Sequence, residues 1–334
     1  MVTNTKVPEN PFEKIALSCS GGGYRAAAFH LGTMSYLNKI KYLDKTLLEK
    51  VKMISTVSGG TITGVTYAIF ISEGKSFDEY YKFLFSALKD HDLVKEAFQD
   101  LSSNSTWVDS KRKNLINAFA KLYDKHFTQG KIIGNLNLSE SHLDALVFNT
   151  TEFKNGLNFR FKKYKKLQYS GNRHLKVPDK VASEVKLSDA IAASSCFPGG
   201  FEPINWPKDF QYNGAKNIQK YALENNDVGL MDGGIYDNLG IDSILLYESK
   251  NNTVTYFDLI IVSDVSSPYI KEFKFTDDIE KNDLLSTNFN HLKKQFLKLK
   301  RILSIIFIIL IFILLIIPFF WQYTNSILTG YVLV

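Results

Sequence analysis

Residues 14–25 decide the fold: Lys14-Ile15-Ala16-Leu17-Ser18-Cys19-Ser20-Gly21-Gly22-Gly23-Tyr24-Arg25. The apolar run ending at Cys19 reads as a short buried strand. Three glycines stop it, and an alanine-rich apolar pattern from about Tyr24 to Lys39 then has helical period. The same grammar recurs at once. Lys52 to Val57 (KMISTV) reads as a second strand, Ser58-Gly59-Gly60 as its turn, and TITGVTYAIFISEG over 61–74 as a helix. Strand, glycine turn and helix, written twice, predict an α/β fold on a mostly parallel sheet.

Outward from this core, the pattern over 77–130 is helical and amphipathic, as in EYYKFLFSALKD and RKNLINAFAKLYDKHF. Segments 143–153 and 156–164 predict a strand pair, with Lys162, Lys163, Lys165 and Lys166 read as a solvated strand end rather than a lipid contact. Ser188 onward reads as a helix stopping at Pro198, Leu230–Gly234 as a strand-to-turn junction, and Tyr256–Asp264 as a buried strand. No internal repeat is visible.

Composition is that of a globular chain, with 45% hydrophobic and 22% charged residues over 334 positions, so disorder and collagen-like polymers are excluded. Two cysteines, Cys19 and Cys196, support neither a disulfide framework nor a zinc site. The net charge of +6 is unevenly placed. Lys293, Lys294, Lys298, Lys300 and Arg301 supply five positive charges in an acid-free stretch, leaving +1 for all the rest. A nucleic-acid partner is therefore not expected.

That basic collar precedes ILSIIFIILIFILLIIPFFW, residues 302–321, which carries no charge. At about 1.5 Å per residue such a helix is about 30 Å long, the hydrocarbon thickness of a bilayer. A C-terminal transmembrane helix is expected, with Trp321 and Tyr323 at an interface and the collar against anionic lipid head groups. The positive-inside rule places the N-terminal body in the cytoplasm. MVTNTKVPENPFEK at the N-terminus has no apolar core of a signal peptide. The expected organisation is an extension at 1–12, a globular domain at 13–270 with a lid-like helical insertion at 77–130, a basic juxtamembrane linker at 271–301, the span at 302–321 and a short tail at 322–334.

Three sites bear on chemistry. Ser58, between a strand and a helix with glycines behind it, suits a nucleophile elbow, although Thr56 stands where G-x-S-x-G has its first glycine. Gly21, Gly22 and Gly23 leave backbone N–H groups free for a phosphate or for an oxyanion, with Arg25 reinforcing the anion or bracing the loop. Asp232, ahead of Gly233-Gly234, is either a turn-capping acid or a general base that would spare the chain a catalytic histidine. Gly21, Gly23 and Ala26 also satisfy a dinucleotide fingerprint, but the acid that should follow about 20 residues later, at the end of the second strand, is missing. Asp44 and Glu49 both precede that strand. Of the six histidines, His30 reads as a packed helical residue, and His126 and His142 as surface residues. No H-x-x-x-H or H-E-x-x-H spacing points to a metal site.

Together, SGGGYR (20–25), STVSGG (55–60), SDAIAASSCFPGGFEPI (188–204) and MDGG (231–234) resemble, in order, the motifs of the patatin-like phospholipase family. The resemblance covers about residues 13–265. It implies a three-layer α/β/α fold and a serine acyl hydrolase needing no cofactor or metal. Ser58 would be the nucleophile, Asp232 its base, and Gly21, Gly22, Gly23 and Arg25 the oxyanion loop. The expected function is membrane-anchored cleavage of phospholipid or lysophospholipid acyl esters through an acyl-enzyme. The alternatives are a catalytically silent membrane-anchored scaffold and a nucleotide-binding module.

Overall fold

The computed structural model describes residues 10–103, 107, 111–165, 169–250, 256–266, 297–305 and 307. The chain divides into two compact units, Met1–Ser267 and Pro268–Val334. In the first, the strands are β1 (Ile15–Cys19), β2 (Lys41–Tyr42), β3 (Lys45–Thr46), β4 (Val51–Val57), β5 (Ala145–Glu152), β6 (Leu157–Tyr164), β7 (Ser170–Gly171), β8 (Lys176–Val177), β9 (Ile204–Trp206), β10 (Val228–Asp232) and β11 (Leu259–Ser263). The helices are α1 (Gly23–Lys39), α2 (Gly59–Ser72), α3 (Phe77–Asp90), α4 (Leu93–Ser102), α5 (Leu115–Tyr123), α6 (Asp179–Ala182), α7 (Leu187–Ser194), α8 (Lys216–Glu224), α9 (Gly234–Asp237) and α10 (Ile241–Lys250).

The sheet runs β11-β1-β4-β5-β6-β7-β8. Its centre, β11-β1-β4-β5, is parallel as the repeated strand–turn–helix pattern predicts, and an antiparallel flank begins at β5 and β6. The strand pair expected over 143–164 is this antiparallel pair. Alternation along the central strands explains why they read as continuous apolar runs. Ile15, Leu17, Ile54, Leu146 and Phe148 enter the larger core with α1, α2 and α7. Ala16, Met53, Ala145 and Val147 face the other way, into a smaller cluster with Ile244 of α10 and Phe257. A strand buried on both faces has no polar side to show.

One feature of the sheet governs the rest. A single edge of β5 is shared by two strands. β4 pairs in parallel with residues 145–149, ending with Val57 opposite Asn149. β10 then takes over antiparallel, with Asp232 opposite Thr150. The ends of β4 and β10 therefore meet head to head on one neighbour.

Two expected elements differ in extent. The helix from Ser188 ends at Ser194, short of Pro198, because Ser195 leaves the helical region and its N–H is satisfied by the carbonyls of Ile191 and Ala192. Residues before a proline are biased away from helix, so the last turns unwind early. The strand expected over 256–264 is confined to Leu259–Ser263 and is half-exposed, since it forms the end of the sheet beside β1.

In the second unit, residues 297–305 are helical and their side chains are exposed. Among the described residues no helix is long and apolar enough to cross a membrane. The expected span at 302–321 lies almost wholly outside the described residues, as do Lys293 and Lys294 of the collar.

Candidate active site

Ser58 is the residue between β4 and α2, and it takes φ 51° and ψ −122°. A non-glycine residue is strained there, by roughly 1–3 kcal/mol, and persists only where its surroundings fix it. They do so here. The Ser58 N–H donates to Ser194 Oγ at 2.9 Å, and that hydroxyl donates onward to the Asn149 carbonyl at 2.7 Å. Behind the turn the packing is tight. A Cβ on Gly60 would lie 2.6 Å from the Cys19 carbonyl oxygen, and one on Gly59 would overlap the Gly23 carbonyl. The two glycines let the elbow nest against the first glycine loop.

Thr56, the departure from the G-x-S-x-G pattern, is accommodated by a glycine on the facing helix. A Cβ on Gly64 would sit 2.5 Å from Thr56 Cγ2, so the missing side chain on α2 supplies the space. The Thr56 hydroxyl donates to the Val147 carbonyl and receives the Thr61 hydroxyl. The elbow accommodates a β-branched residue because Gly64 leaves room for it on the opposing helix.

Asp232 arrives at the end of β10. Its backbone N–H donates to the Cys196 carbonyl at 2.9 Å, and that of Gly233 to the Ser194 carbonyl at 3.3 Å. The Ser194–Cys196 segment thus holds both the Ser58 turn and the Asp232 turn. One carboxylate oxygen accepts the Gly234 N–H at 2.7 Å, and the Ser58 side chain is near enough to the carboxyl to favour its charged form. Ser58 is 6% exposed and Asp232 7%. Burial pushes the Asp232 carboxyl above its ordinary range, and Gly234 and Ser58 only partly oppose that.

The glycine loop divides by position. Gly22 (φ 142°) and Gly23 (φ 62°) line the same cavity as Ser58 and Asp232, in conformations that suit glycine alone. Their N–H groups have no hydrogen-bond partner among the described residues. Gly21 is different: it is buried against Ser58 and Asn238, and its N–H already donates to the Asn238 carbonyl at 3.0 Å. Arg25 is exposed on the first turn of α1 and is not part of the cavity lining. Of the four residues expected in the oxyanion loop, Gly22 and Gly23 line the cavity, Gly21 is bonded to Asn238 and Arg25 is not part of the lining.

Asn238 was not singled out in the sequence. It lines the cavity, its carbonyl anchors Gly21, and its side-chain oxygen packs against Gly21 and Gly234. The loop carrying it is pinned from the sheet by Ser18, which donates to the Leu239 carbonyl, and by Ser55, which donates to the Gly240 carbonyl at 2.6 Å. An asparagine in D-G-G-x-x-x-N offers no periodic signal, because the residues that fix its loop come from β1 and β4.

The cavity holds about 1180 Å³, at the large end for a small-ligand site. Ser58, Asp232, Asn238 and the glycines give it polar groups, as do Lys89, His91 and Asp92. Ile62, Leu88, Leu93, Leu115, Phe119 and Phe201 form apolar walls. The helices α3, α4 and α5 of the 77–130 region thus supply much of the wall. At the mouth, Tyr24, Val94, Phe197 and Ile235 line the cavity while remaining exposed.

The histidines take other places than expected in two cases. His30 is fully buried, as predicted, held by Ser263 Oγ at 2.7 Å and the Ser20 carbonyl at 2.8 Å. His142, expected at the surface, is half-buried beside Tyr67, and loss of solvent lowers its pKa to about 4. His126 is also buried, and it meets His91 and Glu96 in a cluster that no local spacing revealed.

The chain is similar to human GIVD cytosolic phospholipase A2, at 12% identity and TM-score 0.44, over 72% of this chain and 45% of that one. It is also similar to VipD from Legionella pneumophila, at 14% identity and TM-score 0.33, over 69% of this chain and 47% of that one. It spans less than half the length of each of these neighbours. No curated protein matches it. The patatin-like phospholipase family does match, over residues 17–245, a stretch that holds the glycine loop, the Ser58 elbow, the Ser194–Cys196 bridge and Asp232, and the chain belongs to that family.

Proposed function

We propose that this protein is a serine acyl hydrolase that cleaves fatty-acyl esters of membrane lipids through Ser58 and Asp232. The observation that carries the proposal is the strained Ser58 turn sharing an apolar cavity with the buried Asp232 carboxyl, the strand ends that carry them meeting on β5. Asp232 takes the Ser58 proton as the hydroxyl oxygen attacks the ester carbonyl. The Gly22 and Gly23 N–H groups receive the developing oxyanion. The intermediate collapses by expelling the alcohol, which takes the proton back from Asp232, and leaves an acyl group on Ser58. Water, deprotonated by Asp232, then releases the fatty acid. The apolar walls bury the acyl chain, worth about 0.8 kcal/mol per methylene removed from water. Release of free fatty acid from phospholipid vesicles, with fluorophosphonate labelling of Ser58, tests the reaction. Protein that releases none and takes no label would return the silent-scaffold alternative.

The pH profile follows from the same carboxyl. Only ionised Asp232 accepts a proton, and burial raises its pKa. Activity is therefore lost as pH falls through a value above the ordinary aspartate figure of about 3.9. A profile of kcat/KM with a soluble ester should show this acid limb; a flat profile down to about pH 4 would exclude Asp232 as the base.

The exposed mouth residues support a lipid surface as the source of substrate. Phe197 is 53% exposed and Val94 56%, and both line the cavity. Phe197→Ser and Val94→Asp are expected to lower turnover of vesicles about tenfold, by removing about 1.4 kcal/mol or more of apolar contact each. Hydrolysis of a soluble short-chain ester should stay within twofold. Equal losses on both substrates would mean that these side chains shape the cavity instead.

The apolar stretch at 302–321 and the cations before it support anchoring in a bilayer with the hydrolase body on the cytoplasmic side, next to anionic head groups. An N-terminal reporter should be protected from protease added to intact cells. Cleavage there would refute the orientation.

A further inference from the structure

We propose that His91, Glu96 and His126 form a binding site for a first-row divalent cation of the zinc type, beside the mouth of the cavity. The three residues come from three elements. His91 ends α3, Glu96 lies in the first turn of α4, and His126 sits in the π-turn Asp124–Thr128 that follows α5. Their nearest nitrogen and oxygen atoms all lie within 4.8 Å of one another. His126 Nε2 is 2.8 Å from one Glu96 oxygen, and His91 Nδ1 is 3.5 Å from the other.

Those separations suit the ion. With metal–ligand bonds of about 2.0 Å, neighbouring ligand atoms in a tetrahedral site are about 3.3 Å apart. Rotation of the His91 ring and the Glu96 carboxylate is enough to reach that spacing. Two imidazoles and one carboxylate are also the donor set that binds zinc with one position left open for water.

The cluster is poorly explained by packing alone. The His91 and His126 ring centroids lie 3.6 Å apart, and both rings face the one Glu96 carboxylate. A divalent cation takes a lone pair from each ring and neutralises Glu96. The Lys125 ammonium also reaches Glu96, at 3.4 Å, but this side chain is 65% exposed and can yield to the ion. The π-turn adds a second indication. Such turns are uncommon and concentrate at functional positions, and this one places His126 against α4.

Bound metal would act on the cavity. His91, Asp92, Leu93 and Val94 line it, so a cation tying His91 and Glu96 to His126 fixes the start of α4 against the end of α5. The inference does not depend on the Ser58–Asp232 reaction, because binding is read without substrate.

The test uses the full chain in detergent micelles, stripped with chelator and dialysed against micromolar zinc chloride. Wild type and Ser58→Ala should each retain one zinc per chain and melt several degrees higher, reversibly on chelation. Cobalt(II) should give the visible bands of a low-coordinate nitrogen and oxygen site. His126→Ala and Glu96→Gln should lose the metal, the bands and the thermal shift. Should His126→Ala fail to fold, the more exposed His91→Ala supplies the same reading. No retained zinc, zinc retained equally by His91→Ala and Glu96→Gln, or an equal thermal shift with calcium would each overturn the proposal.

Discussion

Ser58→Ala is expected to lower the rate of fatty-acid release by about 10⁴- to 10⁶-fold, and Asp232→Asn by about 10⁴-fold. The reason is specific to this site. Among the described histidines, His30 is locked between Ser20 and Ser263, and none is hydrogen-bonded to Ser58 or Asp232. Asparagine keeps the size of Asp232 and can still accept the Gly234 N–H, but it cannot hold the proton of Ser58. Both variants should fold. Each removes one polar atom or one charge from a position where burial already opposes the charge. Parallel measurement of fatty-acid release, fluorophosphonate labelling and thermal unfolding separates chemistry from stability. Variants that fold and retain more than one-tenth of the activity would dismiss the dyad.

Gly59→Ala is the second large effect, and it acts on both stability and rate. The new Cβ would overlap the Gly23 carbonyl, and backbone cannot swing aside as a flexible side chain can. Overpacking of this kind costs about 1–3 kcal/mol. Moving the Gly22–Gly23 segment also displaces the N–H groups proposed to hold the oxyanion, for which a loss of roughly 10²-fold or more is expected. Gly32→Ala is the control. Nothing lies within 4 Å of its added Cβ, and α1 should gain about 0.5–1 kcal/mol from the better helix former. Thermal unfolding with kcat/KM on a soluble ester checks the pair. A Gly59→Ala protein as stable and active as wild type would mean that the two glycine turns are not in contact in solution.

Much of this was legible from residue order. β1, α1, β4 and α2 announce themselves because a strand buried on both faces, a glycine turn and an apolar helix each leave a local pattern. The Ser58 elbow and the Asp232 turn are local for the same reason. What failed to show was non-local. Half-burial of β11 depends on its place at the sheet's end. The compensation of Thr56 by Gly64 depends on α2 lying over β4. The His91–Glu96–His126 cluster needs α4 and α5 packed together before it exists.

The sequence by itself determined the element types, the two glycine turns, the serine and the aspartate, and the uneven charge that ends in an apolar stretch. Those are properties of neighbours along the chain, fixed by backbone preference and hydrophobic period. Only the tertiary structure decided that Ser58 and Asp232 meet, that Gly21 is spent on Asn238 while Gly22 and Gly23 stay free, and that Ser194–Cys196 holds both turns. The physical reason is the shared edge of β5. Strands pair through backbone hydrogen bonds that carry no side-chain identity, so which two strand ends abut is settled by packing of the whole sheet.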